Sequence, residues 1–162
     1  MQRRTFILAA VLSLIITGCG FQLRGDYLLA PELQTLYVSS VDKHGELTRL
    51  VRQHLSNNQV DIVKSYTQNI PELRIQKDKL DRRTLSVFEN GQVAEYELIY
   101  TVRYELRFAN EEVQSFSFEV NRDYQDDPNI ALAKSRELSL ILREMRQESA
   151  DKILRNMASI QR

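Results

Sequence analysis

TLSVFENGQVAEYELIYTVRYELRF, residues Thr84 to Phe108, is the stretch whose reading decides the fold. Two extended runs flank the pair Asn90-Gly91. Asn-Gly between alternating apolar residues signals a β-hairpin closed by a type I′ turn, because both central residues need φ > 0. In the second arm Leu98, Tyr100, Val102, Tyr104, Leu106 and Phe108 fall on one face, while Glu97, Thr101, Arg103, Glu105 and Arg107 fall on the other. Alternation with period two marks a strand with one buried side. A short turn near Asn110 and Glu111 leads to a third arm, where Phe116, Phe118, Val120, Arg122 and Tyr124 share a face opposite Ser115, Ser117 and Glu119. The three arms predict an antiparallel meander.

Upstream, Leu36, Val38 and Val41, with Tyr37 among them, predict a strand from about Thr35 to Ser40. Leu47, Leu50, Val51 and Leu55 follow at helical spacing. Asn57-Asn58 should end that helix, since Asn tolerates the left-handed conformation. Val60, Ile62 and Val63 make a short second strand, so the segment is a βαβ unit whose two strands are most simply parallel. Phe21 to Pro31 has no sustained period and reads as a tether, and Thr67 to Pro71 as a linker. From Glu72 the chain is extended again: Leu73 and Ile75, a charged patch from Lys77 to Arg83, then Leu85, Val87 and Phe88. The middle of such a strand cannot be buried on both faces, so it is exposed, bulged, or projecting at an edge.

Downstream, Asp127-Pro128 forms an N-cap and N1 pair, and Leu138, Ile141, Leu142, Met145, Ser149, Ile153, Met157 and Ile160 trace one stripe. The opposite surface is charged. This long amphipathic helix should lie across the sheet. The strand ends of the meander place the Asn90-Gly91 tip beside the start of the helix, making Phe88, Gln92 and Lys134 near neighbours.

At 162 residues the chain is the size of one domain, and its 43% hydrophobic and 27% charged fractions are those of an ordinary globular protein. Formal net charge is zero and no Lys/Arg run or aromatic RNA-binding signature occurs, which argues against nucleic acid as a partner. His44 and His54 are the only histidines and lack HExxH spacing. No GxSxG, P-loop or dinucleotide fingerprint is present. Asp123, Asp126 and Asp127 are better explained as a cap and its favourable neighbours at the positive end of the helix dipole than as an acid/base pair. The expectation is a protein that is not an enzyme, with no metal and no cofactor.

Arg3 and Arg4, the apolar run Phe6 to Ile16 and the small residues Thr17-Gly18 make a secretory signal segment, too short for the ~20 residues of a membrane-spanning helix. Cys19 is the only cysteine, so no intrachain disulfide forms. LIITGC, Leu14 to Cys19, resembles the bacterial lipobox, in which the cysteine becomes the first mature residue and carries acyl chains on sulfur and amine. At about 0.8 kcal/mol per buried methylene, several chains hold a protein on a bilayer permanently. The following residue is Gly20 rather than Asp, which by resemblance to the bacterial sorting rule directs the protein to the outer membrane. Removing residues 1–18 takes away two arginines and no acids, so 22 basic residues become 20 against 22 acidic.

GCGFQLRG at Gly18 to Gly25, LSVFENGQVAEYEL at Leu85 to Leu98, RDYQDDPNIALAKSRE at Arg122 to Glu137 and EMR at Glu144 to Arg146 together resemble the LPS-assembly lipoprotein family LptE, partners of the outer-membrane β-barrel LptD. The resemblance implies an α+β two-layer sandwich with two helices on one face of a mixed, mainly antiparallel four-stranded sheet. Its segments would be a signal peptide at 1–18, a lipidated tether at 19–33 and one domain at 34–162. It implies a 1:1 plug of the LptD barrel that helps the barrel assemble and meets lipopolysaccharide on its way to the outer leaflet. The protein would be held at the periplasmic side of the outer membrane and within the barrel lumen. Lys134, in the ALAK match, is the candidate lipopolysaccharide contact. The tip position that can be basic in relatives is Glu89 here, with Arg136 or Arg83 as candidate substitutes. The tip itself, Phe88, Glu89, Asn90, Gly91 and Gln92, is the candidate partner contact. The competing readings are an envelope lipoprotein that binds another ligand, such as peptidoglycan or a different barrel, and a small envelope hydrolase.

Overall fold

A computed structural model describes Tyr27, residues 29–109 and residues 111–160. The signal segment, Cys19 and most of the tether lie outside the described residues. In chain order the elements are β1 (Thr35–Ser40), α1 (Glu46–Asn57), β2 (Asp61–Val63), β3 (Glu72–Val87), β4 (Val93–Arg107), β5 (Gln114–Gln125) and α2 (Ala131–Ser159). The strands form one sheet in the order β2-β1-β3-β4-β5. Both helices pack on one of its faces, giving the α+β sandwich expected.

The sheet has five strands rather than the four that the resemblance implied. The additional strand is β2, three residues long, paired parallel to β1 through Thr35↔Asp61, Leu36↔Ile62 and Tyr37↔Val63. A crossover helix that returns the chain to the sheet edge leaves room for one short pairing before the next connection. β3 runs parallel to β1 from Tyr37↔Glu72 to Ser40↔Ile75, and antiparallel to β4 along its whole length. Its register shifts between Ile75 and Lys77 and again between Thr84 and Val87. The charged middle of β3 is therefore bulged at both ends and, beyond Ile75, has no strand on its outer side among the described residues.

The alternation in the meander sorts side chains as expected. Leu98, Tyr100, Val102, Tyr104, Leu106 and Phe108 are all buried against Leu47, Val51 and Leu55 of α1 and Met145, Ile153 and Met157 of α2. Tyr104 stacks on Phe116 of β5 at 5.0 Å, and its hydroxyl accepts from Asn156 Nδ2 at 3.1 Å, tying the sheet to α2. His54 of α1 faces α2, where its Nδ1 lies 2.9 Å from Asp151 Oδ1.

Local geometry departs from the sequence reading at three places. The hairpin turn is not type I′: Gly91 has φ +82° but Asn90 does not have a positive φ. Gly91 N–H donates to Phe88 O at 2.9 Å and Phe88 N–H to Gln92 O at 2.8 Å, a three-residue loop with glycine in the left-handed bulge position. Asn90 serves through its side chain instead, Oδ1 accepting from Gln92 N–H at 3.0 Å. At the end of α1 the left-handed residue is Gln59 (φ 62°), because the Asn58 side chain is engaged elsewhere. Its Oδ1 accepts from Tyr27 N–H at 2.6 Å and its Nδ2 donates to His54 O at 2.7 Å. Finally, Pro31–Leu33, where the sequence shows no sustained period, forms a 3₁₀ turn whose Leu33 is fully buried.

Candidate functional site

The hairpin tip and the start of α2 meet at one end of the sheet, and the sequence dictates how. Asp126 N–H donates to Ala94 O at 2.9 Å, holding the exit of β5 against the start of β4. Asp127 Oδ1 then accepts from Asn129 N–H at 2.9 Å, capping the short turn Pro128–Ile130 that leads into α2. This sharp reversal carries the first turns of α2 back over Tyr124.

Tyr124 positions Lys134. Its hydroxyl donates to the Lys134 carbonyl at 3.1 Å, and the Lys134 ammonium lies 5.3 Å from the Tyr124 ring centre. The same ammonium donates to Glu137 Oε2 at 2.9 Å, and only 15% of the side chain is exposed. That hydrogen bond holds the Lys134 pKa above the ordinary lysine value. Burial, followed by the charge of Asp126, pushes the Tyr124 phenol up. Lys134 is thus a fixed cation resting on an aromatic face.

Between these groups lies a cleft of about 550 Å³. Phe88, Ala94 and Ile130 give it an apolar wall, Glu95, Asp126 and Asp127 add carboxylates, and Lys134 is its one cation among the described residues. Phe88 and Ile130 are 45% and 50% exposed, large values for side chains of that size. A second cleft of about 560 Å³ adjoins it, formed by Phe88, Glu89, Asn90 and Gln92 facing Asp127, Pro128 and Asn129. The expected neighbours Phe88, Gln92 and Lys134 therefore surround this end of the molecule.

The other predicted cations stand elsewhere. Arg83 lies opposite Glu97 in the register and pairs with it on the sheet face away from the helices. Arg136 is exposed on α2, two residues and so about 200° around the helix from Lys134. Sequence reasoning missed Arg82, which lies opposite the buried Leu98 and so on the helix side, its guanidinium 5.9 Å from the Tyr96 ring centre. Carrying the alternation of β4 across the hairpin would have found it.

Among the described residues no group of three His, Cys, Asp or Glu side chains is arranged to hold a metal. No described helix is long and apolar enough to cross a membrane. The cleft combines an apolar wall, three carboxylates and a positioned ammonium that is already paired with Glu137.

The lipopolysaccharide-assembly family model matches residues 33–157, a span that takes in the sheet, both helices and the cleft. The chain belongs to the LptE family. It is 38% identical to the LPS-assembly lipoprotein LptE of Pectobacterium atrosepticum, over 99% of this chain and 88% of that protein. It is 35% identical to the protein of the same name from Yersinia enterocolitica, over 97% and 77%. Among solved structures it resembles rare lipoprotein B from Shewanella oneidensis, with 48% identity, a TM-score of 0.71, and 77% and 94% of the two chains covered. Lipoprotein B from Nitrosomonas europaea shares the fold at 22% identity, with a TM-score of 0.69 over 86% and 91%. Membership in LptE makes this chain a lipopolysaccharide-assembly lipoprotein of the cell envelope and not an enzyme.

Proposed function

We propose that the protein is an outer-membrane lipoprotein, anchored through Cys19, that plugs the LptD β-barrel as a 1:1 partner, helps it assemble, and binds lipopolysaccharide during insertion into the outer leaflet. The observation that carries the lipopolysaccharide part is Lys134, fixed by Tyr124 and Glu137 at the mouth of an apolar-walled cleft at the hairpin tip. Lipid A joins acyl chains to phosphates, and a lysine serves phosphate as a point charge beside a surface that accepts hydrocarbon. Arg82 adds a second cation on the same sheet face beside the Tyr96 ring, and like Arg83 and Arg136 it does not line the cleft. The plug role is supported by a surface that mixes both charge signs, suited to the polar lumen of a large barrel.

The test is extraction of outer membranes in detergent with an affinity tag on this protein, followed by washing in high salt. Recovery of LptD in equal amount is the expected result, and absence of any bound barrel would overturn the plug reading. Lys134→Glu should retain the barrel and lose lipopolysaccharide binding; unchanged binding would remove the cleft from the account.

A further inference from the structure

The sheet face away from the helices carries a second built feature, at the opposite end of β3, roughly 50 Å from the hairpin tip by strand rise. Tyr37, Glu72 and Arg107 stand in one cross-strand row through the pairs Tyr37↔Glu72 and Glu72↔Arg107. Tyr66, from the connection between β2 and β3, lies over that row with its ring 5.7 Å from the Tyr37 ring and tilted by 54°. The Arg107 guanidinium sits 4.8 Å from the Tyr66 ring centre and pairs with Glu72, whose other oxygen accepts from Ser39 Oγ at 2.7 Å. Both oxygens of Glu72 are therefore engaged within the assembly.

The next row is Ser39, Arg74 and Glu105. Arg74 faces Glu105 directly across the strands yet forms no ion pair with it, and instead lines a shallow cleft of about 390 Å³ together with Tyr37, Tyr66 and Ser40. Pinning the connection to the sheet accounts for Tyr66, Arg107, Glu72 and Ser39. It does not account for the exposed Arg74.

We infer that this corner is a binding site for an anionic sugar, a pyranose bearing a carboxylate or a phosphate. The two tilted rings present negative π-faces to the C–H face of a sugar ring, and their hydroxyls meet ring hydroxyls. Arg74 supplies a planar fork for the anionic group. A bare anion would have no use for the two aromatic walls, and a neutral sugar would leave the fork empty. The site stands apart from Lys134 and does not depend on the reading of the hairpin cleft.

The experiment is an amide-resolved NMR titration of the ¹⁵N-labelled full chain in detergent with glucuronate, glucose 6-phosphate, glucose and inorganic phosphate. Saturable shifts at β1, at the start of β3 and around Tyr66 are expected with the acidic sugars, leaving the hairpin tip unmoved. Arg74→Gln should weaken them about tenfold, the loss expected for one charge-assisted contact, while Arg155→Gln on the exposed side of α2 should leave them intact. Equal shifts with inorganic phosphate or with glucose would overturn the proposal, as would absence of any shift or binding that survives Arg74→Gln.

Discussion

Tyr100→Phe isolates one hydrogen bond at the meeting point of sheet and helices. Tyr100 is 1% exposed, and its hydroxyl donates to the Asp78 carboxylate of β3, close to Arg146 of α2, which pairs in turn with Glu46 of α1. The substitution keeps the ring and its packing and deletes only the hydroxyl. A hydrogen bond to a charged acceptor contributes about 1.5–3 kcal/mol. For a domain of this size that corresponds to a fall in Tm of roughly 5–10 °C at neutral pH, measurable by calorimetry.

Alkaline titration gives a second, independent readout. Burial, and after it the hydrogen bond and charge of Asp78, push the Tyr100 phenol far above its ordinary value. A group whose folded pKa is raised contributes stability that is intact below its unfolded pKa, about 10 for tyrosine, and is lost as pH climbs from there toward the folded value. The native protein should therefore lose up to about 1.4 kcal/mol per pH unit above pH 10 through Tyr100, a loss absent from the variant. The stability gap between the two should narrow from pH 10 upward. A Tm change below about 1 °C at neutral pH, or a gap constant between pH 9 and 11, would refute the reasoning.

Leu98→Ala empties a fully buried position on the central strand β4 and should cost about 2–5 kcal/mol in chemical denaturation, with the slope unchanged. Gly91→Ala meets nothing within 4 Å of the added Cβ, so its expected cost of about 1 kcal/mol is purely that of a left-handed backbone, and Gly91→Asn should recover much of it. Asp127→Ala removes the cap on the turn into α2 and should cost about 1 kcal/mol, with hydrogen exchange accelerated at Asn129.

The meander, the βαβ unit and both helices were legible because each buries one face and so prints its period on the sequence: 2.0 for Leu98 to Phe108, 3.6 for Leu47 to Leu55. What escaped the sequence depended on which partner each asparagine side chain takes, near or distant. Asn58 holds Tyr27 N–H, 31 positions away, so the left-handed position passes to Gln59. Asn90 bonds Gln92 through its side chain, and the turn becomes a bulged loop. At the site, Lys134 and Phe88 were brought together by topology alone, since antiparallel pairing fixes which strand ends share an edge. Arg83 and Arg82 differ by one residue and hence by a whole sheet face, which only the register across the hairpin decides.

The bare edge of β3 beyond Ile75 has its own consequence. An unpaired run of backbone N–H and C=O groups from Lys77 to Val87 is a template on which another chain can add a strand. Six of the seven residues from Lys77 to Arg83 are charged, and bulges interrupt the strand on either side of them. A second copy approaching this edge would have to desolvate those charges and follow a kinked backbone, and both features oppose self-association. The patch that looks wrong for a strand when read as sequence is thus a physical obstacle to edge-to-edge pairing between copies of this chain.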